Sequence, residues 1–105
     1  MTPAKLRKLQ SRLSQLRGSS VKPRKLEGLA KALGRKRVKR GSEPTWVNET
    51  FPALRPLSIP HHSRDVKRFT AESILDQLEA QDVAAWERHL AAAHGETRAD
   101  HDEDS

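Results

Sequence analysis

Two of the chain's five histidines stand side by side as His61-His62, directly after Pro60 and close to Arg64, Lys67 and Arg68. An imidazole titrates near neutrality, so it can take a proton or return one under mild conditions. Among cations that attract polyanions, such a group suits contact with a phosphate or proton transfer beside one. The pair equally suits a structural role, as loop histidines that hydrogen-bond backbone and help cap the following helix. The other histidines do not assemble a metal site. His89, His94 and His101 lie near Glu96, Asp100 and Asp102, but their spacings do not set two ligands on one helical turn. There is no phosphate-cradling Gly-rich loop, no Walker or dinucleotide fingerprint and no Ser nucleophile constellation. No metal or cofactor is therefore expected.

The 105 residues allow one modest core, so a single domain with loose ends is expected. The absence of Cys removes disulfides, thiolate metal sites and a Cys nucleophile, and suits a reducing compartment. No apolar run approaches the ~20 residues that span a bilayer, and the leucines near the N-terminus are broken up by Lys and Arg. A cytoplasmic protein is the expectation, with no membrane partner. Charge is sorted along the chain. Residues 1–40 hold fourteen Lys and Arg against the single acid Glu27, or +13, whereas residues 41–105 hold six against thirteen, or −7, giving the net +6. A basic half this dense is an electrostatic footprint for polyanions.

The elements that must position these groups follow from periodicity. Leu6, Leu9, Leu13 and Leu16 recur at steps of three, four and three, which predicts a basic amphipathic helix over 3–17. It either docks on its own domain or serves as a nucleic-acid or partner arm; duplex DNA binding through it is a weaker alternative. Gly18-Ser19-Ser20 breaks it. A second helix is signalled from Pro23 through Leu26, Leu29, Ala30 and Leu33, ending at Gly34. Arg35 to Arg40, five cations around Val38, reads as a solvated edge strand or a basic loop. Trp46, Val47, Phe51, Leu57 and Ile59 between four prolines suit short strands of a small meander. Thr70 is the expected N-cap of a further helix, with Glu72 favourably placed in its first turn and Ile74, Leu75 and Leu78 as its buried stripe. That helix either continues or restarts near Gln81, with Asp82 as a possible second cap. The tail 95–105 is acidic, without apolar anchors, and expected to be disordered. The plan is thus α+β: a small three-stranded antiparallel sheet packed by helices, with an added N-terminal basic helix (1–20) before the body (21–94) and a C-terminal helical extension. Leu29, Leu33, Trp46, Leu57, Ile59, Ile74, Leu75 and Leu78 are its expected core. Lys36, Arg37, Lys39 and Arg40 on one side of the sheet, with Lys67 and Arg68 at the start of the last helix, are expected to straddle a phosphate backbone.

Arg40-Gly41-Ser42, Leu57-Ser58-Ile59-Pro60-His61-His62, and Val66-Lys67-Arg68-Phe69-Thr70 leading into Ser73-Ile74-Leu75-Asp76-Gln77-Leu78 together resemble the HicA family, small toxins of bacterial toxin–antitoxin pairs. The resemblance covers residues 22–80. It implies a fold like a double-stranded-RNA-binding domain (helix, three strands, helix), an mRNA-cleaving activity, and inhibition by a HicB-type antitoxin. It adds Ser42 to the RNA-contacting residues and places His62 at the family's Pro-x-His position. Where the family's turn carries its catalytic His, this chain has Glu43 followed by Pro44, and where the family has Gly before the helix-opening Thr it has Phe69. The catalytic candidates are therefore His62, His61 and Glu43. An unperturbed Glu is ionised at neutral pH, so Glu43 suits a weak base rather than an acid. The alternative is a catalytically inactive RNA-binding or antitoxin-binding module of the same fold.

Overall fold

The computed structural model describes residues 1–40, 43–60 and 64–93, and the side chains of Arg40 and Glu43 lie outside that description. The expected disorder of 95–105 likewise falls outside it.

Helix α1 spans Pro3–Leu16 and is started by Thr2, whose hydroxyl accepts from the Lys5 N–H at 3.1 Å. Pro3 follows at the first helical position, where its missing N–H costs nothing. Helix α2 spans Pro23–Ala32 and also opens on a proline. Its end is set by Gly34, which takes a positive φ of 104° just past the last turn. Strands β1 (Arg35–Arg40), β2 (Glu43–Asn48) and β3 (Leu57–Ser58) form an antiparallel sheet in the order β1-β2-β3. Arg35 pairs with Asn48 and Arg37 with Trp46, and Trp46 pairs in turn with Leu57. Helix α3 begins at Arg68 and runs to Gln77, followed by a π-helical stretch, Leu78–Val83, and α-helix again over 84–93. It therefore continues past Gln81 rather than restarting.

Three expectations about this helix need correction. Its N-cap is Lys67, so Thr70 lies inside the first turn and caps nothing. Glu72 lies beyond the first turn, which holds no acid, and its carboxylate instead accepts from the Gly18 N–H at 2.6 Å and from Arg17 at 2.8 Å. Asp82 is no cap either: it is fully buried in the π-helical stretch.

All eight expected core residues are buried, and the core extends further. Leu6, Leu9 and Leu13 of α1 join Leu26 and Leu29 of α2, Ile74, Leu75 and Leu78 of the C-terminal helix, and Val21 with Val66. Helix α1 is thus docked, packing on α2 and the π-helical stretch. Val21 and Val66 exchange backbone hydrogen bonds at 3.0 and 2.7 Å, which fastens the linker between α1 and α2 to the segment before α3. No described helix is long and apolar enough to cross a membrane.

Candidate nucleic-acid interface

The basic run 35–40 is one strand with two faces. Side chains alternate along a strand, so Arg35, Arg37 and Lys39 share the face of their partners Asn48, Trp46 and Pro44, while Lys36 shares the other with Val38 and Val47. The expected single row of cations is therefore divided between faces. Arg37 and Lys39 remain exposed on β1, which among the described residues is an edge strand of the sheet. Lys36 is exposed on the opposite face beside the half-buried Val38, Thr45 and Val47.

Arg35 departs furthest from the solvated strand expected. Its side chain and that of Asp82 are both 0 % exposed and form a bidentate ion pair at 2.8 and 2.7 Å. The Arg35 Nη1 donates to the backbone carbonyls of Trp46 and Arg55, each at 2.9 Å. Asn48 donates to Asp82 at 2.9 Å and to the Leu33 carbonyl at 3.0 Å, and its Oδ1 accepts from the N–H groups of Thr50 and Phe51. The Trp86 indole N–H also donates to the Leu33 carbonyl, at 2.8 Å. This network ties β1, β2 and the loop after β2 to the C-terminal helix. It satisfies each charge internally, which makes it a structural element and removes Arg35 from any phosphate-binding surface.

A second cation is consumed at the surface. Arg17 bonds Glu72, Asp76 and Glu79 at 2.8, 2.7 and 2.8 Å. These three acids follow one another at helical spacing, and their carboxylates hold the guanidinium's pKa above its ordinary value, those of Glu79 and Asp76 foremost. The Gly18 N–H, then Arg17, holds the Glu72 carboxyl below its usual pKa.

At the start of α3 an open cleft of about 360 Å3 is lined by Pro60, Arg64, Asp65, Val66, Lys67 and Thr70. Its wall is fixed by the Val21–Val66 bridge and by an ion pair between Lys22 and Asp65 at 2.9 Å. Arg64 and Lys67 in its lining are exposed, as is Arg68 at the first position of α3. His61 and His62, which follow Pro60 in sequence, lie outside the described residues, as does Ser42. Glu43 opens β2 opposite Arg40, and Pro44 pairs with Lys39. Helix α1, which the sequence offered either as a docked element or as a nucleic-acid or partner arm, is docked and still presents a third cationic surface, with Arg7, Lys8 and Arg12 bordering a shallow groove along its outer side. The signal was the complement of the leucine stripe, since docking of Leu6, Leu9 and Leu13 turns those cations outward. Arg12 also reaches α2, its guanidinium 4.0 Å from where a Cβ on Gly28 would stand.

His89 belongs to none of these surfaces. Its ring meets those of Phe51 and Trp86 edge-on, at centroid distances of 5.9 and 5.5 Å, and no metal-ligating cluster occurs among the described residues. Among known proteins, no family model, no curated sequence and no solved structure matches the chain.

Proposed function

We propose that this chain is an RNA-binding domain of the HicA-like toxin type, acting on mRNA with a HicB-type antitoxin as partner. The observation that carries the RNA reading is the charge left exposed once the fold's own ion pairs are formed. Residues 1–93 hold nineteen Lys and Arg against nine Asp and Glu, a net +10, and Arg17, Lys22 and Arg35 are held by acids of the fold itself. Lys36, Arg37, Lys39, Lys67 and Arg68 are all exposed. Such a surface binds a phosphate backbone through shape and charge, without reading bases. The order α2, β1, β2, β3, α3, with apolar residues of both helices in one core with Trp46 and Leu57, supports a likeness to double-stranded-RNA-binding domains.

In the cleaving form, a base removes a 2′-OH proton, the oxygen attacks the adjacent phosphorus, and an acid protonates the departing 5′ oxygen. His62, His61 and Glu43 are the residues assigned to these proton transfers. A second reading, the same fold without catalysis, is favoured by one specific observation: Glu43-Pro44 stands where the resembled family has its catalytic His. Expression without an antitoxin separates the two. Arrested growth with fragmented mRNA, abolished by His62→Ala, supports the nuclease. Normal growth with soluble protein that still binds RNA, and cleavage gained in Glu43→His, supports the inactive module. RNA affinity indifferent to salt would overturn both, since each phosphate contact contributes a slope of roughly −0.7 on single strands.

A further inference from the structure

Phe69 is the one large apolar side chain left in water among the described residues, at 88 % exposure. The chain has only four aromatic residues of the Phe, Tyr and Trp types. Trp46 is buried, and Phe51 packs edge-on against Trp86 at 4.8 Å between centroids. Phe69 alone has no place in the packing.

Its surroundings decide what it suits. Arg64, Lys67, Arg68, Thr70 and Ser73, its polar neighbours along the chain, are all exposed, and none of these described residues offers the apolar rim that a protein-docking patch requires. Along the helix its i+3 and i+4 neighbours are Glu72 and Ser73, not further apolar residues, so it belongs to no amphipathic stripe. The acids on this stretch do not oppose a polyanion freely. Glu72 and Asp76 are engaged by Arg17, and Asp65 by Lys22. One π-face flanked by cations is the arrangement that holds an unpaired nucleobase, because every base can stack and its neighbouring phosphates meet the cations.

We propose that Phe69 is a stacking platform for an unpaired RNA base, with Lys67, Arg68 and Arg64 holding the phosphates on either side along the cleft. This rests on the RNA-binding reading and narrows it to a single strand, loop or bulge at the start of α3.

The test is fluorescence anisotropy on the full chain with a labelled single-stranded RNA of about ten nucleotides and a blunt RNA duplex of equal length. Phe69→Ala is expected to weaken the single strand about tenfold, with an unchanged salt slope and unchanged duplex affinity. Phe69→Leu behaves like Phe69→Ala, whereas Phe69→Trp keeps wild-type affinity and its added indole emission falls on RNA binding. If wild type binds RNA and Phe69→Ala binds the single strand equally well, the stacking inference is overturned while the RNA reading stands. Full affinity in Phe69→Leu overturns it too, as does self-association lost in Phe69→Ala at constant RNA affinity, which would assign the ring to a protein contact. Wild type that binds neither RNA overturns both.

Discussion

Removing Asp82 should cost this protein much of its stability. Arg35 makes four hydrogen bonds, two to the Asp82 carboxylate and two to carbonyls, from a position with no exposed side-chain surface. In Asp82→Ala the guanidinium stays buried with its two neutral partners and no counter-charge, and the Asn48 amide loses one of its two acceptors. Breaking a buried pair from one side costs about 3–5 kcal/mol. A domain of this size holds roughly 5–10 kcal/mol in total, and each kcal/mol moves its midpoint by about 4–8 °C. A fall of at least ~12 °C is expected, read by far-UV circular dichroism and by Trp46 and Trp86 emission in urea. The double variant Arg35→Met/Asp82→Leu removes both charges and restores most of the loss, since apolar replacements of buried pairs are often neutral. The carbonyls of Trp46 and Arg55 then lack the Arg35 donor, so recovery stops short of complete. A loss under about 1 kcal/mol in Asp82→Ala, the range of surface pairs, would refute a buried, mutually dependent ion pair.

Three further outcomes follow from the same geometry. Leu13→Ala should cost about 2–5 kcal/mol in urea unfolding, because α1 is part of the core; a free arm would lose nothing. Gly34→Ala should cost about 1–3 kcal/mol: its φ is 104° and an added Cβ would stand 3.1 Å from the Asn48 Oδ1, whereas Gly18→Ala, at φ 86° with open space around it, should cost less. Glu72 has its pKa lowered in the fold, so its contribution is present above the ordinary carboxylate pKa and is lost as pH falls through the depressed value. Glu72→Gln should therefore flatten the decline of the urea midpoint below about pH 4.5, and a wild-type Glu72 side-chain titration at the ordinary value would contradict this.

What was legible in the sequence was whatever rested on apolar spacing. The leucine steps of α1, the run from Pro23 to Gly34 and the eight core positions all came from period and punctuation, which are local properties. Arg35 was illegible for the opposite reason. A cation beside Lys36 and Arg37 reads as solvated, and its partner Asp82 lies 47 positions away. One trace of the pair was present: Asp82 falls four residues after Leu78 and four before Trp86, on the buried stripe, where an acid is out of place unless paired. Thr70 misled because a favourable cap residue says where a helix can start, while the Val21–Val66 bridge decides where the chain turns into one. For the candidate site, the positions of Lys67 and Arg68 at the opening of α3 were legible, but the division of the β1 cations needed the register.

The sorting of charge between the two halves also acquires a different meaning. It suggested a polyanion partner, yet Arg17, Lys22 and Arg35 each reach an acid in the second half: Glu72, Asp76 and Glu79; Asp65; and Asp82. Gln10 extends the pattern to Glu87. Part of the asymmetry is therefore a folding device, in which cations before position 36 select acids after position 64 and so favour α1 on the C-terminal helix over its release. These pairs act on opposite sides of the solvent boundary. Arg35–Asp82 is insensitive to salt, whereas the exposed Lys22–Asp65 and Arg17 contacts weaken as ions screen them. The cations that serve neither purpose, on the edge of β1, around Phe69 and along α1, are the ones a polyanion can reach. A sequence tally cannot separate these groups, because each Lys or Arg counts alike until the fold decides which carboxylates are near.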